Sequence, residues 1–234
     1  MLDRDQTHYL ANVMRARTGD EVALFNGRDG EWAARIDTLG KRAAELSVVR
    51  ALRPQLAEPD LWLAFAPIKR GRIDWIAAKA TELGVARLLP VITGRTQMSR
   101  VNVGRLAANA VEAAEQCERM SVPPVDEPVS FAELIDAWPR HRILYVGDET
   151  GRGTPLAEAL GANATLESAA DTPRGVLIGP EGGFAADELD ALDVLPFVRK
   201  ISLGPRVMRA DTAAIAALAV IQALVGDWRT ARGG

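Results

Sequence analysis

Val176-Leu177-Ile178-Gly179-Pro180-Glu181-Gly182-Gly183-Phe184 and, further on, Ile201-Ser202-Leu203-Gly204-Pro205-Arg206-Val207-Met208-Arg209-Ala210-Asp211-Thr212 decide how the rest of the chain is read. Each is an apolar strand that runs into a glycine-proline loop and then into a helix: the acidic turn at 185–190 in the first case, the alanine-rich run 211–224 in the second. A repeated strand, loop and helix places backbone N–H groups and side chains around a ligand at the carboxyl edge of a sheet. The stretch therefore reads as a ligand site in an α/β fold with a mostly parallel sheet.

Upstream of it the chain alternates in the same way. Residues 61–66 are apolar and bounded by Pro67, a buried strand, and the helix expected over 70–83 puts Ile73, Ile76, Ala77, Ala80 and Leu83 on one face before Gly84 ends it. A strand at 85–92, a polar loop at 93–102 and a helix from Val103 follow, with Leu106, Ala110, Ala113, Ala114 and Cys117 aligned. Ser130-Phe131-Ala132-Glu133 has capping-box spacing, so another helix starts there, and 142–146 is the next strand. Thr154-Pro155 reads as the start of a short helix, and 162–174, which lacks periodicity, as a surface loop.

The first fifty residues differ in kind. A short helix at 6–14 precedes three β-like runs at 21–25, 31–36 and 44–49, joined by Asn26-Gly27-Arg28-Asp29-Gly30 and Leu39-Gly40-Lys41. Asn-Gly and Asp-Gly pairs supply the positive φ that tight hairpins need, so the expectation is a small β-barrel. Pro54 and Pro59 break the pattern and set a boundary between a domain at 1–54 and a domain at 60–234.

Composition narrows the function. The 234 residues are 48% hydrophobic, enough for a full core, and contain no run of roughly eighteen uncharged apolar residues that would cross a membrane. The charged Met1-Leu2-Asp3-Arg4-Asp5 is unlike a signal peptide, which points to a cytoplasmic protein. One cysteine, Cys117, excludes an internal disulfide, and with only His8 and His141 there is no metal-ligand spacing. The net charge of −3 hides segregation: 69–105 holds eight basic and two acidic side chains, and 197–234 six and two. The intervening 106–196 holds five basic and seventeen acidic ones. Segregation of this kind makes either a basic phosphate-binding surface or solvated helix faces on an acidic protein.

The loops themselves exclude two common ligand classes. Neither ends in Gly-Lys-Ser/Thr, and neither has the G-x-G-x-x-G pattern, so the fingerprints of ATP and NAD sites are missing. A Gly-Pro-x-Gly-Gly loop alone is equally a tight connection. Arg206 and Arg209 with Asp211 and Thr212 are more specific: an N-cap at Asp211 or Thr212 accounts for the acid and the hydroxyl but does not require two arginines before it. Arginine there suits an anion, bound or developing during a reaction.

Taken together, these two motifs resemble the paired loops of the RsmE family, SPOUT-class methyltransferases that methylate N3 of a uridine in 16S small-subunit ribosomal RNA. Lys79-Ala80-Thr81-Glu82-Leu83-Gly84-Val85 with Pro90 and Arg95, and Glu112-Ala113-Ala114-Glu115-Gln116-Cys117 with Arg119 and Pro123, look like two further family signatures in the family order. The stretch from His8-Tyr9-Leu10 to Val13-Met14-Arg15, with Gly19-Asp20-Glu21-Val22, is similar to its PUA-like RNA-binding domain. Two positions depart from the pattern: Met1-Leu2-Asp3 does not match the family's opening Arg-Phe-Phe-like strand, and Ala210-Asp211 stands where Thr-Glu is commoner.

The resemblance implies a C-terminal trefoil knot, a homodimer, and S-adenosylmethionine held by Val146, Gly147, Ile178, Gly179, Pro180, Glu181, Gly182, Gly183, Ile201, Leu203, Gly204, Met208 and Arg209. It implies RNA contacts at Arg15, Arg72, Lys79, Arg95 and Arg119, a ribosomal RNA partner within the small subunit, and no membrane or metal. Arg206 and Arg209 are expected to stabilise the uracil anion, and Asp211 or Glu181 to accept the N3 proton. Two other readings remain open from sequence: a non-catalytic RNA-binding or ribosome-assembly module, and an α/β enzyme acting on a small anionic metabolite.

Overall fold

In the computed structural model, which describes residues 1–69, 71–98, 100–161 and 172–229, Asp3 opens helix α1 (Arg4–His8) through a capping box. Its carboxylate accepts the Gln6 N–H at 2.8 Å while Gln6 Oε1 accepts the Asp3 N–H at 3.2 Å. The helix widens into a π turn at Tyr9–Val13, closed by the Met14 N–H donating to the Tyr9 carbonyl. Strands β1 (Glu21–Phe25), β2 (Glu31–Leu39) and β3 (Ala44–Arg53) form an antiparallel sheet in that order. Asn26 Oδ1 accepts the N–H groups of Arg28 and Asp29 and shapes the first hairpin.

The barrel expected here is thus an open three-stranded sheet among the described residues, with Leu2 adding a single bridge to Ala44. β3 also runs four residues past the expected end, its pairing with β2 continuing to Arg53 across shifts of register at Glu31/Trp32, Ala33/Ala34 and Ile36/Thr38. These elements make up one compact unit, Met1–Ala57; the second is Glu58–Gly234.

The second unit contains β4 (Leu61–Phe65), α2 (Arg72–Glu82), β5 (Arg87–Ile92), α3 (Val103–Gln116), β6 (Val129–Ser130), α4 (Phe131–Ala137) and β7 (Ile143–Gly147). It continues through β8 (Thr154–Pro155), α5 (Leu156–Gly161), β9 (Arg174–Ile178), α6 (Ala186–Asp193), β10 (Val198–Ser202) and α7 (Ala210–Val225). The strands form a seven-stranded sheet in the order β6-β5-β4-β9-β7-β10-β8, and every pair is parallel. Alternate residues serve opposite faces. Leu61, Leu63 and Phe65 of β4 and Val176 and Ile178 of β9 pack with α2, α3, α5 and α7. Ala64 and Leu177 pack with α4, α6 and Phe184. Both faces are covered, as a parallel sheet requires.

Side-chain caps place the starts of α1, α3 and α4. Ser130 Oγ accepts the Glu133 N–H at 3.2 Å and the Glu133 carboxylate returns to the Ser130 N–H at 2.7 Å. The Ser130 N–H, and next the Ser130 hydroxyl donating at 2.7 Å, hold the Glu133 carboxyl below its ordinary range. Thr154-Pro155 corrects the sequence reading: it is an edge strand parallel to Ile201 and Ser202, and α5 begins only at Leu156. An edge position tolerates the missing proline N–H. The loop expected at 162–174 falls, up to residue 171, outside the described residues.

Arg119 also departs from expectation. Its side chain is 8% exposed, and it donates from Nε and Nη2 to Glu58 and from Nη1 to the Thr81 carbonyl at 2.9 Å. Ser121 Oγ adds a bond to the same carboxylate at 2.6 Å. Burial, and next the charge of Glu58, push the nearby Asp227 carboxyl up, and Arg119 offsets that rise. A guanidinium committed in this way is a brace inside the unit. Removing one member of a buried pair strands the other, so Arg119→Ala is expected to destabilise the protein toward the low end of roughly 3–5 kcal/mol, Glu58 being partly exposed. Urea unfolding measures this; an RNA contact would instead leave stability unchanged and weaken RNA binding.

Candidate functional site

Because all strands of the large sheet are parallel, their carboxyl ends share one edge. β7, β9 and β10 are neighbours, with Val146 beside both Leu177 and Lys200 in register, so the loops after Gly147, Ile178 and Ser202 emerge side by side. They enclose a cavity of about 790 Å³ walled by 147–151, 178–183 and 201–208 with Arg95, Ala210 and Ala213.

Each loop is built by a different local device. In the loop after β7, Asp148 is buried, its N–H donates to the Ile201 carbonyl at 3.0 Å, and its Oδ1 accepts the Thr150 N–H at 2.8 Å. In the loop after β9, the Gly183 N–H donates to the Pro180 carbonyl at 2.9 Å, closing a turn that the proline presets. Gly183 has φ of 69°, and a Cβ there would fall inside the Glu149 carboxylate, whose Oε1 accepts the Phe184 N–H at 3.2 Å. That position favours glycine for its backbone, and any larger residue would also have to push the exposed Glu149 side chain aside. Arg95 Nη1 donates to the Gly182 carbonyl at 2.8 Å from the loop after β5. Phe184 is buried in the core, so the loop is anchored at its far end.

In the loop after β10, Gly204 and Arg206 are exposed and Met208 is partly buried. α7 then starts on Arg209, which is extended at φ −67° and ψ 153° and accepts the Ala213 N–H on its carbonyl at 2.8 Å. Neither Asp211 nor Thr212 is the N-cap. Asp211 lies in the first turn, where a negative charge suits the helix dipole, and its Oδ1 accepts the Thr212 N–H at 2.9 Å.

Most residues expected to bind a ligand meet in this cavity: Gly147, Ile178, Gly179, Pro180, Glu181, Gly182, Gly183, Ile201, Leu203, Gly204 and Met208 all line it, as does Arg206. Val146 does not, because the alternation of β7 turns it into the core with Leu144 and Leu177. Arg209 and Asp211 are outside the wall, and the Arg209 side chain is exposed. Among the described residues, the guanidinium groups of Arg206 and Arg209 make no ion pair or hydrogen bond.

The basic residues expected on RNA are scattered. Arg72 is ion-paired with Glu181 and Asp211, Lys79 with Glu82 at 2.6 Å on α2, and Arg95 is a cavity wall residue. Arg15 is an exposed residue of the N-terminal unit at φ of 56°. The resemblance places the loop 146–151 at the donor pocket but does not single out Glu149, because no local pattern ties residue 149 to residue 183. The reach of Arg95 to the Gly182 carbonyl is likewise invisible in the sequence.

The cavity combines carboxylates at Asp148, Glu149 and Glu181 with an apolar side at Ile178, Leu203 and Met208. It suits a ligand that is cationic at one part and flat and apolar at another, and Arg206 on its wall offers a cation to an anion approaching from outside.

Comparison with known proteins fits this geometry. Residues 56–222 match the family model described as an RNA methyltransferase domain, and residues 2–49 the one described as an RNA methyltransferase PUA domain. A protein of Rickettsia conorii named ribosomal RNA small subunit methyltransferase E is 32% identical over 93% of this chain and 86% of its own. Its namesake in Synechocystis is 32% identical over 94% of this chain and 71% of its own. The crystal structure of the Neisseria gonorrhoeae protein of that name, bound to S-adenosyl methionine, superposes with a TM-score of 0.84 at 26% identity, covering 97% of this chain and 92% of that one. The chain therefore belongs to the RNA methyltransferase family that includes the ribosomal RNA small subunit methyltransferase E proteins.

Proposed function

We propose that this protein methylates N3 of a uridine in small-subunit ribosomal RNA with S-adenosylmethionine as donor. The observation that carries the reading is one cavity formed by three strand-end loops, with Arg206, which has no ion pair or hydrogen bond among the described residues, on its wall. The residues present fit the donor. A cavity of 790 Å³ is within the range of small-molecule sites. Asp148, Glu149 and Glu181 complement the sulfonium and ammonium charges, and Ile178, Leu203 and Met208 offer apolar surface to adenine. When bound, S-adenosylmethionine supplies a methyl group made electrophilic by its sulfonium.

The chain's own residues do the rest. Gly179 to Gly183 form a cradle whose position is set by Phe184 in the core and by Arg95 on the Gly182 carbonyl. A cradle fixed this way orients a ligand and converts binding into rate. N3 of uracil becomes a nucleophile only when its proton leaves, and the charge then spreads over O2 and O4. Arg206, with Arg209 at the head of α7, stabilises that charge. Of the two carboxylates considered as proton acceptors, Glu181 lines the cavity and Asp211 stands behind it in the first turn of α7.

The N-terminal unit and basic residues such as Arg15 and Lys79 are assigned to gripping the RNA, chiefly through phosphates. The match of residues 2–49 to a PUA domain supports this assignment. A trefoil knot, a homodimer and a cytoplasmic location are part of the same proposal. No helix among the described residues is long and apolar enough to cross a membrane.

Labelled methyl groups supplied as S-adenosylmethionine should appear in unmodified small ribosomal subunits as 3-methyluridine. Folded protein that incorporates none overturns the reading in favour of a non-catalytic RNA-binding module. Arg206→Ala and Arg209→Ala are each expected to lower the turnover rate by about 10²-fold at saturating donor. Normal turnover in both would remove the arginines from the mechanism. Gly183→Ala, which forces a left-handed residue and displaces Glu149, should weaken donor affinity about tenfold or more by calorimetry, a left-handed non-glycine residue alone costing about 1–2 kcal/mol.

A further inference from the structure

Arg72 is the residue at which the two glycine-proline loops meet. It opens α2 directly after Gly71, whose φ of 86° is a glycine conformation adopted in open space, since a Cβ there would touch nothing. The helix behind it is rigidly seated: Ile73, Ile76, Ala77 and Ala80 are core residues, and Asp74 is ion-paired with Arg105 of α3. From that base the guanidinium reaches two carboxylates. Nη1 is 3.8 Å from Glu181, on the cavity wall in the first loop, and Nε is 3.6 Å from Asp211, just past the second loop.

Pairs of this length with a side chain 37% exposed add little to folding stability. Their effect on placement is larger. Glu181 in the first loop and Asp211 in the first turn of α7 carry like charges, and a cation within reach of both offsets their repulsion. Arg72, expected on RNA from the resemblance, is ion-paired within the protein, whereas Arg206 and Arg209 have no ion pair or hydrogen bond among the described residues.

We propose that Arg72 is a positioning residue that couples the donor cradle at 179–183 to the reactive edge at 206–211, setting their spacing from the fixed end of α2. This rests on the reading of the cavity as a methyl-transfer site. A displacement of about 1 Å between donor and acceptor is enough to lower such a rate by up to roughly 10²-fold.

The test compares Arg72→Met and Arg72→Lys in the full chain. In donor-free protein, Arg72→Met should leave the unfolding temperature near the wild-type value while amide exchange quickens in both 181–184 and 211–213. Its affinity for S-adenosylmethionine should fall several-fold and its kcat about tenfold or more, with the KM for small ribosomal subunits and its salt dependence unchanged. Arg72→Lys, which keeps one cation between the carboxylates, should recover much of the loss. A raised KM for the subunit with a flatter salt dependence, at unchanged exchange and donor affinity, would make Arg72 an RNA contact and overturn the proposal, as would a variant indistinguishable from wild type. Wild-type protein that binds no donor would sink the proposed function, and the exchange measurement would still decide whether Arg72 couples the loops.

Discussion

Parallel pairing throughout the seven-stranded sheet is the constraint on which the site depends. Parallel strands cannot be joined by hairpins, so each connection must cross a face of the sheet and every strand ends on the same edge. Hydrogen bonding then brings β9, β7 and β10 side by side, about 4.8 Å apart from strand to strand. Loops separated by tens of residues in sequence become walls of one cavity. Gly183 and the Glu149 side chain come into contact because the loops after β7 and β9 are neighbours.

The arginines show how tertiary context sorts one residue type into several jobs. Arg119 is buried and spent on Glu58 and the Thr81 carbonyl. Arg142, 4% exposed, lies over the Trp62 ring at 3.7 Å and donates to the Asp60 and Arg174 carbonyls. Arg95 holds the Gly182 carbonyl and Arg72 spans two carboxylates. Arg206 and Arg209 remain exposed at the mouth of the second loop. Each of these groups is a cation, so a count of charge along the chain cannot separate a brace from a ligand contact; only burial and partners do.

How much was legible follows from how local each signal is. The α4 start at Ser130, the end of α2 before Gly84 and the core stripe of α3 each depend on residues within four of one another, and they appear where the sequence places them. Thr154-Pro155 misled because its helix-start signal is local while its actual partner, Ile201 and Ser202, is distant in sequence. The barrel expected from three closely spaced strands is an open sheet for a similar reason: hairpin chemistry specifies neighbours and leaves closure to long-range pairing.

From sequence alone came the α/β class, the family, and the two glycine-proline loops as the place of the site, since strand periodicity, turn residues and ordered motifs are written in short stretches. Tertiary structure decided that Val146 faces the core, that Glu149 and Arg95 complete the cavity wall, that Arg119 is internal, and that Arg72 stands between Glu181 and Asp211. Those outcomes depend on which faces and loop ends the parallel sheet brings within a few ångströms, a distance that no local pattern encodes.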